Sequence, residues 1–214
     1  ICFISVFFIS PRYKRYFNFK SVHCQSFAPL SHLFFAQIIN KHIGGVMENS
    51  IYQVDKPYPE LVGASFSPET IAILRNLYAS RISEITAIAN YTYQARVLGE
   101  HNPDVTKLLE GISMTEMRHL ELLGEAIVEF GGDPVYANSR GQFWSGIFVD
   151  RDKNVCKILK NNIRSETGAV AEYSMAATRV KNQSLANLLL RIAEDEQLHK
   201  ELFEKALADQ GECM

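Results

Sequence analysis

The sequence predicts an all-α protein, a four-helix bundle of two helical hairpins joined by a long crossover. Three observations predict it. From about residue 68 onward, apolar residues recur at steps of three and four, the helix period. Beyond residue 66, proline occurs only at positions 68, 103 and 134, at or between the ends of such runs. A helix with Glu and, seven residues on, Tyr, followed by a helix with Glu-x-x-His, occurs twice.

The 214 residues suffice for one domain with a sizeable core, and hydrophobic residues make up 47% of them. Residues 1–46 differ from the rest. They hold five Lys and Arg, no Asp or Glu, and eight of the thirteen Phe. The apolar run from Ile1 to Ile9 is too short to span a bilayer. A targeting presequence and a disordered tail both fit this composition. The reading favoured here is upstream sequence translated ahead of a working protein that begins at Met47. On any of the three it is a leader outside the core. The formal charge of −2 becomes −7 over residues 47–214, so no basic footprint suggests nucleic acid, and nothing suggests a membrane.

Residues 47–67 are polar, with Pro57 and Pro59, and read as an extended arm. Ser67-Pro68-Glu69-Thr70 is a helix start, with Ser as N-cap, Pro at the first helical position and an acid near the positive end. Helix one then runs to about Leu98, on the stripe Leu77, Arg81, Glu84, Ile88, Tyr91, Ala95 and Leu98. Gly99 to Pro103 is a stop and a new cap. Helix two spans about Asp104 to Phe130, on the stripe Leu108, Ile112, Glu116, His119, Leu123, Ala126 and Phe130. Gly131-Gly132-Asp133-Pro134 ends it. Residues 131–151 form the long connection. Helix two is about 40 Å long, and an extended chain of about twenty residues reaches roughly 65 Å, so this connection can return along the whole bundle. The other loops are short and force antiparallel neighbours. Helix three spans about Asp152 to Val180, with Asn162, Glu166, Ala169 and Tyr173 on its stripe. Helix four ends near Ala208 and carries Leu185, Leu189, Ile192, Glu196, His199 and Phe203. Residues 68–208 thus form the bundle, and 209–214 a tail.

Both Glu-x-x-His pairs sit where core leucines belong, and so do Glu84 and Glu166. Residues three apart on a helix are neighbours. Two such hairpins packed face to face gather four carboxylates and two imidazoles at mid-bundle. Four buried carboxylates carry −4, and two divalent cations compensate them where one would not. On this reading Glu84 and Glu166 each hold one ion, Glu116 and Glu196 bridge, and His119 and His199 each bind one ion through one ring nitrogen. Carboxylate and imidazole ligands suit iron or manganese. Asp195, preceding Glu196, is placed to accept the outer N–H of His119; the matching position is Thr115. Tyr91 and Tyr173 point inward and are candidates to bond the ligand carboxylates. Met117, about 100° around the helix from Glu116, faces outward as a packing residue.

At these residues the sequence resembles the ferritin-like di-metal carboxylate superfamily, and most of all its bacterioferritin, rubrerythrin and manganese-catalase members. The resemblance implies chemistry on hydrogen peroxide or O₂. The first expectation is a peroxide-reducing or peroxide-disproportionating oxidoreductase; the alternative is ferroxidase and iron storage. Met117 stands where bacterioferritin-like proteins carry a haem-ligating Met. No rubredoxin-type cysteine cluster is present, so a peroxidase needs a separate electron-donor protein. Bacterioferritin-type cages use a short fifth helix, whereas this chain ends at Met214, so a homodimer is expected. Cys2, Cys24, Cys156 and Cys213 show no C-x-x-C spacing, which argues against a disulfide framework and for a reducing, cytoplasmic setting, with Cys156 a buried thiol.

Overall fold

The computed structural model describes residues 51–213. The expectations for residues 1–46, and for the start of the arm, lie outside the described residues. The expected bundle of two hairpins and one crossover is present, with its first helix in two pieces. These are α1 (Pro68–Ala79) and α2 (Glu84–Leu98), followed by α3 (Pro103–Glu129), α4 (Val155–Arg179) and α5 (Gln183–Asp209). Helix α2 pairs with α3, and α4 with α5. Among the described residues there is no strand, only one antiparallel bridge between Ala137 and Phe143 in the crossover.

The break at 80–83 corrects the single helix read from 68 to 98. Ser80, Ser83 and Thr86 supply side chains that satisfy the backbone locally. Ser83 Oγ and Thr86 Oγ1 both donate to the Ser80 carbonyl, each at 2.8 Å. Serine and threonine compete with the helical ladder in this way. Arg81, placed on the apolar stripe by periodicity, is exposed instead. Glu84 becomes the first residue of α2.

The other boundaries follow their caps. Ser67 Oγ accepts from Thr70 N at the start of α1. Asn154 and Asn182 accept from Lys157 N and Leu185 N at the starts of α4 and α5. Gly131, with φ +83°, follows α3 in the left-handed region that glycine tolerates.

The crossover lies along α1 and α2. Arg75 Nη2 donates to the Asp133 carbonyl, Ser139 N to Asn76 Oδ1, Trp144 Nε1 to Thr86 Oγ1 and Asp150 N to Asn90 Oδ1. Those bonds run from the second half of α1 to the middle of α2, along the return path that the length argument allows.

Two apolar layers fill the bundle. One joins α1 to the C-terminal half of α3, the end of α4 and the start of α5, around Leu74, Leu123, Ile127, Leu185 and Ile192. The other joins α2 to the first half of α3, the start of α4 and the end of α5, around Tyr91, Leu109, Ile112, Leu159 and Phe203. Within the second, Gln94 and Asn162 are buried and exchange two hydrogen bonds, at 2.8 and 3.2 Å, which satisfies both amides.

One expectation about the cysteines is overturned. Cys156 and Cys213 form a disulfide, with Cα atoms 5.4 Å apart across 57 residues of sequence. Cys156 is therefore no free thiol. The spacing carried no motif because the bridge closes a whole hairpin, tying the tail to the start of α4. The argument for a reducing setting loses its cysteine support. No helix among the described residues is long and apolar enough to cross a membrane.

Candidate metal centre

Between the two apolar layers lies a polar one. Glu84 from α2, Glu116 and His119 from α3, Glu166 from α4, and Glu196 and His199 from α5 are all at most 3% exposed. They form two groups of four. Glu84, Glu116, His119 and Glu196 bring one ligand atom each within 4.8 Å of one another, and so do Glu116, Glu166, Glu196 and His199. Glu116 and Glu196 belong to both groups. The helix period explains the placement, since Glu116 and Glu196 replace core residues one turn from Ile112 and Ile192.

Both histidines turn Nδ1 inward. His119 Nδ1 lies 3.0 Å from Glu196 Oε1, 3.2 Å from Glu116 Oε2 and 3.7 Å from Glu84 Oε2. His199 Nδ1 lies 3.0 Å from Glu116 Oε1 and 3.8 Å from Glu196 Oε2. Their outer nitrogens are fixed by acceptors. His199 Nε2 donates to the Tyr52 carbonyl at 2.8 Å, and a carbonyl can only accept. His119 Nε2 lies 3.1 Å from Asp195 Oδ2, as the sequence suggested. Each ring is thus anchored through Nε2, and Nδ1 is the nitrogen that faces the centre.

Tyr91 donates to Glu166 Oε1 and Tyr173 to Glu84 Oε1. Each tyrosine thus crosses between α2 and α4 to hold the carboxylate of the opposite half. Met117 is 47% exposed, and Met114 on the same face of α3 is 68% exposed. Glu172 lies on an exposed face, while Glu194 is half-buried and pairs with Lys56 at 2.7 Å.

The arm does more than the sequence indicated. Asp195 Oδ1 accepts from Val54 N at 2.7 Å, and Oδ2 from the Tyr58 hydroxyl at 2.6 Å. Arg191, 2% exposed, lies with Nη1 2.7 Å from Asp195 Oδ1, an ion pair without hydrogen-bond alignment. Its other nitrogens donate to the Lys56 carbonyl at 2.9 Å and the Val54 carbonyl at 2.7 Å. Its guanidinium stacks 4.6 Å from the Tyr58 ring centre. Tyr52, Val54, Tyr58 and Arg191 were missed. Arg191, four residues before Asp195 on a greasy face, was the available signal; a backbone carbonyl gives none. The close pass also needs Gly111, where a Cβ would sit 2.0 Å from the Tyr52 ring.

The electrostatics divide the six residues. Burial pushes Glu84 and Glu166 well above the usual carboxylate range, and the charges of Glu116 and Glu196 push them further. Burial acts the same way on Glu116, but His199 and His119 outweigh it and hold Glu116 below that range. In Glu196, burial and Glu116 are likewise outweighed by the two histidines. His119 and His199 are raised, burial being overcome by Asp195 and the glutamates for His119 and by Glu116 and Glu196 for His199. Two carboxyls and two imidazoles of the bare cluster thus hold protons more tightly than the same groups do in water.

The donor set fits a pair of ions. Glu116 Oε1, Glu196 Oε1 and His199 Nδ1 are buried without a hydrogen-bond partner. They crowd their neighbours at about 3 Å without hydrogen-bond alignment, as ligand atoms do around a shared cation. A narrow cavity reaches this centre between the 80–83 break and α4, lined by Ile82, Ser83, Ser165, Ala169 and Glu172.

The rubrerythrin family model matches residues 157–212, most of α4 and all of α5. No curated protein sequence matches the chain. Among solved structures it is similar to wild-type KatB, a manganese catalase from Anabaena, with TM-score 0.68 and 21% identity over 75% of this chain and 80% of that one. It is also similar to the bacterioferritin of Desulfovibrio desulfuricans, with TM-score 0.53 and 27% identity over 65% and 78%. A third is the dodecameric thioferritin of Bacteroides fragilis, with TM-score 0.56 and 21% identity over 69% and 89%. The chain has the fold of the ferritin-like di-metal carboxylate superfamily. Within that superfamily its likenesses are to rubrerythrin, manganese catalase and bacterioferritin.

Proposed function

We propose that Glu84, Glu116, His119, Glu166, Glu196 and His199 hold two divalent iron or manganese ions, and that the protein reduces or disproportionates hydrogen peroxide. One observation carries the reading. The two groups of four share Glu116 and Glu196, and three of their inward atoms are buried without a hydrogen-bond partner. Glu84 and His119 would serve one ion, Glu166 and His199 the other, with Glu116 and Glu196 between them. Two adjacent redox-active ions supply a two-electron change to a bound O–O bond.

The chain's own residues do the rest. Tyr91 and Tyr173 fix the carboxylates of Glu166 and Glu84, and their raised hydroxyl pKa values, set first by burial, keep the protons on oxygen. Asp195 and the Tyr52 carbonyl orient the histidines. The apolar layers keep bulk water from both ends of the polar layer. The cavity at the helix break leads to the four carboxylates on the side away from the arm.

Iron oxidation and storage is the second reading, favoured by the likeness to bacterioferritin and thioferritin. The assembly proposed is a cytoplasmic homodimer; a multi-subunit shell in light scattering favours storage instead. Protein purified from its own host is analysed for metals, then assayed with peroxide. Oxygen release without reductant marks a catalase. Turnover only with a reductant marks a peroxidase fed by a separate electron donor. Fe(II) oxidation with mineral growth and no peroxide turnover marks storage. No bound metal overturns all three.

A further inference from the structure

The two halves of the cluster match in their inner ligands and differ in what stands behind the histidines. His119 Nε2 lies 3.1 Å from the carboxylate of Asp195, which Val54 N and Arg191 hold in place, each at 2.7 Å. The duplicated position, Thr115, has no carboxylate to offer. Its hydroxyl donates instead to the Tyr52 carbonyl at 3.2 Å, the same oxygen that accepts from His199 Nε2 at 2.8 Å. His119 therefore donates to an anion, and His199 to a neutral carbonyl shared with a second donor. A charged acceptor makes the stronger bond and leaves a more basic nitrogen on the far side of the ring.

Other differences between the halves are smaller. The tyrosine bonds to Glu84 and Glu166 are mirror images and cancel. Glu84 begins α2, where the helix terminus stabilises its charge by at most about thirtyfold in affinity, in favour of the same ion.

We propose that the two metal positions are inequivalent. The ion between Glu84 and His119 is held more tightly, the ion between Glu166 and His199 is the exchangeable one, and Asp195 is the positioning residue that sets the difference. This rests on the reading of the six residues as a di-metal site.

The test strips the full chain with chelator, adds one equivalent of Mn(II), and locates the ion by anomalous diffraction. Density at the Glu84–His119 position, with the second position filling only at two equivalents, is the expected result. Calorimetric titration should show two steps of unequal affinity. Asp195→Asn should weaken the tighter step about 10–100-fold and leave the other unchanged, an uneven effect that a general loss of structure would not give. Equal occupancy at one equivalent, or preference for the Glu166–His199 position, overturns the inequivalence while leaving the di-metal reading intact. Failure to bind any ion overturns that reading and this inference with it. Should Asp195→Asn fail to fold, the one-equivalent map of the unaltered chain decides alone.

Discussion

Replacing Glu166 by glutamine separates a metal ligand from a core packing residue. In the bare protein Glu166 is 2% exposed, and burial, then Glu196 and Glu116, raise its pKa well above the usual value. Its carboxyl therefore holds a proton to higher pH than an ordinary glutamate does, and it accepts from Tyr91. Glutamine has nearly the same volume and no charge, and its carbonyl accepts the same bond. Glu166→Gln should therefore change the stability of the bare protein by less than about 1 kcal/mol. The metal-loaded protein is another matter. An ion at about 100 times its Kd adds about 2.7 kcal/mol, which for a domain of this size raises Tm by roughly 5–10 °C. Losing only the partner of a ligand costs about 10–100-fold in affinity, so losing the ligand removes nearly all of that ion's contribution. Calorimetry with Mn(II) should show the variant melting roughly 5–10 °C below the unaltered chain, and with chelator the two should nearly coincide. Equal destabilisation in both conditions, with two ions still bound per chain, would refute the reasoning.

Three further outcomes follow from the same structure. The bare protein should lose stability as pH climbs above 6.5, the ordinary histidine value. Raised folded-state pKa values at Glu84, Glu166, His119 and His199 give stability that is complete below their ordinary values of 4.5 and 6.5 and is lost as pH climbs through the folded values. Glu116, Glu196 and Asp195, which are lowered, give theirs above the usual carboxylate range and so do not offset the loss. Thermal melts in chelator check this, and a rise in Tm over that interval contradicts it. Arg191→Met should cost about 3–5 kcal/mol in urea denaturation by stranding the buried Asp195, and adding Asp195→Asn should recover most of it. Cys156→Ser should cost up to about 4 kcal/mol, the chain-entropy value for its loop. Metal content should not change, because Cys156 lies ten residues of helix before Glu166.

How much of this was legible in the sequence differs from element to element. Glu116, His119, Glu196 and His199 stood out because a polar side chain on an apolar helical stripe violates the pattern, and the repeat supplied Glu84 and Glu166. Asp195 followed from its place beside Glu196 and the geometry of the facing helix. The break at 80–83 did not show, because the three-and-four spacing runs unbroken across Arg81 while the serines there satisfy the backbone locally. The role of the arm was hidden for a different reason. Its contributions are a carbonyl at Tyr52 and an N–H at Val54, groups every residue carries, so only the path of the chain selects them. Tyr58 and Arg191 depend on that path as well. The disulfide joins positions far apart in sequence that meet only once α4 and α5 have paired.

The central claim is that this polar layer exists to hold two cations. The most direct test is anomalous diffraction at the iron and manganese edges on crystals of protein purified from its own host. The account predicts two peaks per chain, one flanked by Glu84 and His119 and one by Glu166 and His199, with Glu116 and Glu196 between them. A featureless map at that layer, with the carboxyls and imidazoles bonded to one another through their protons, would contradict it.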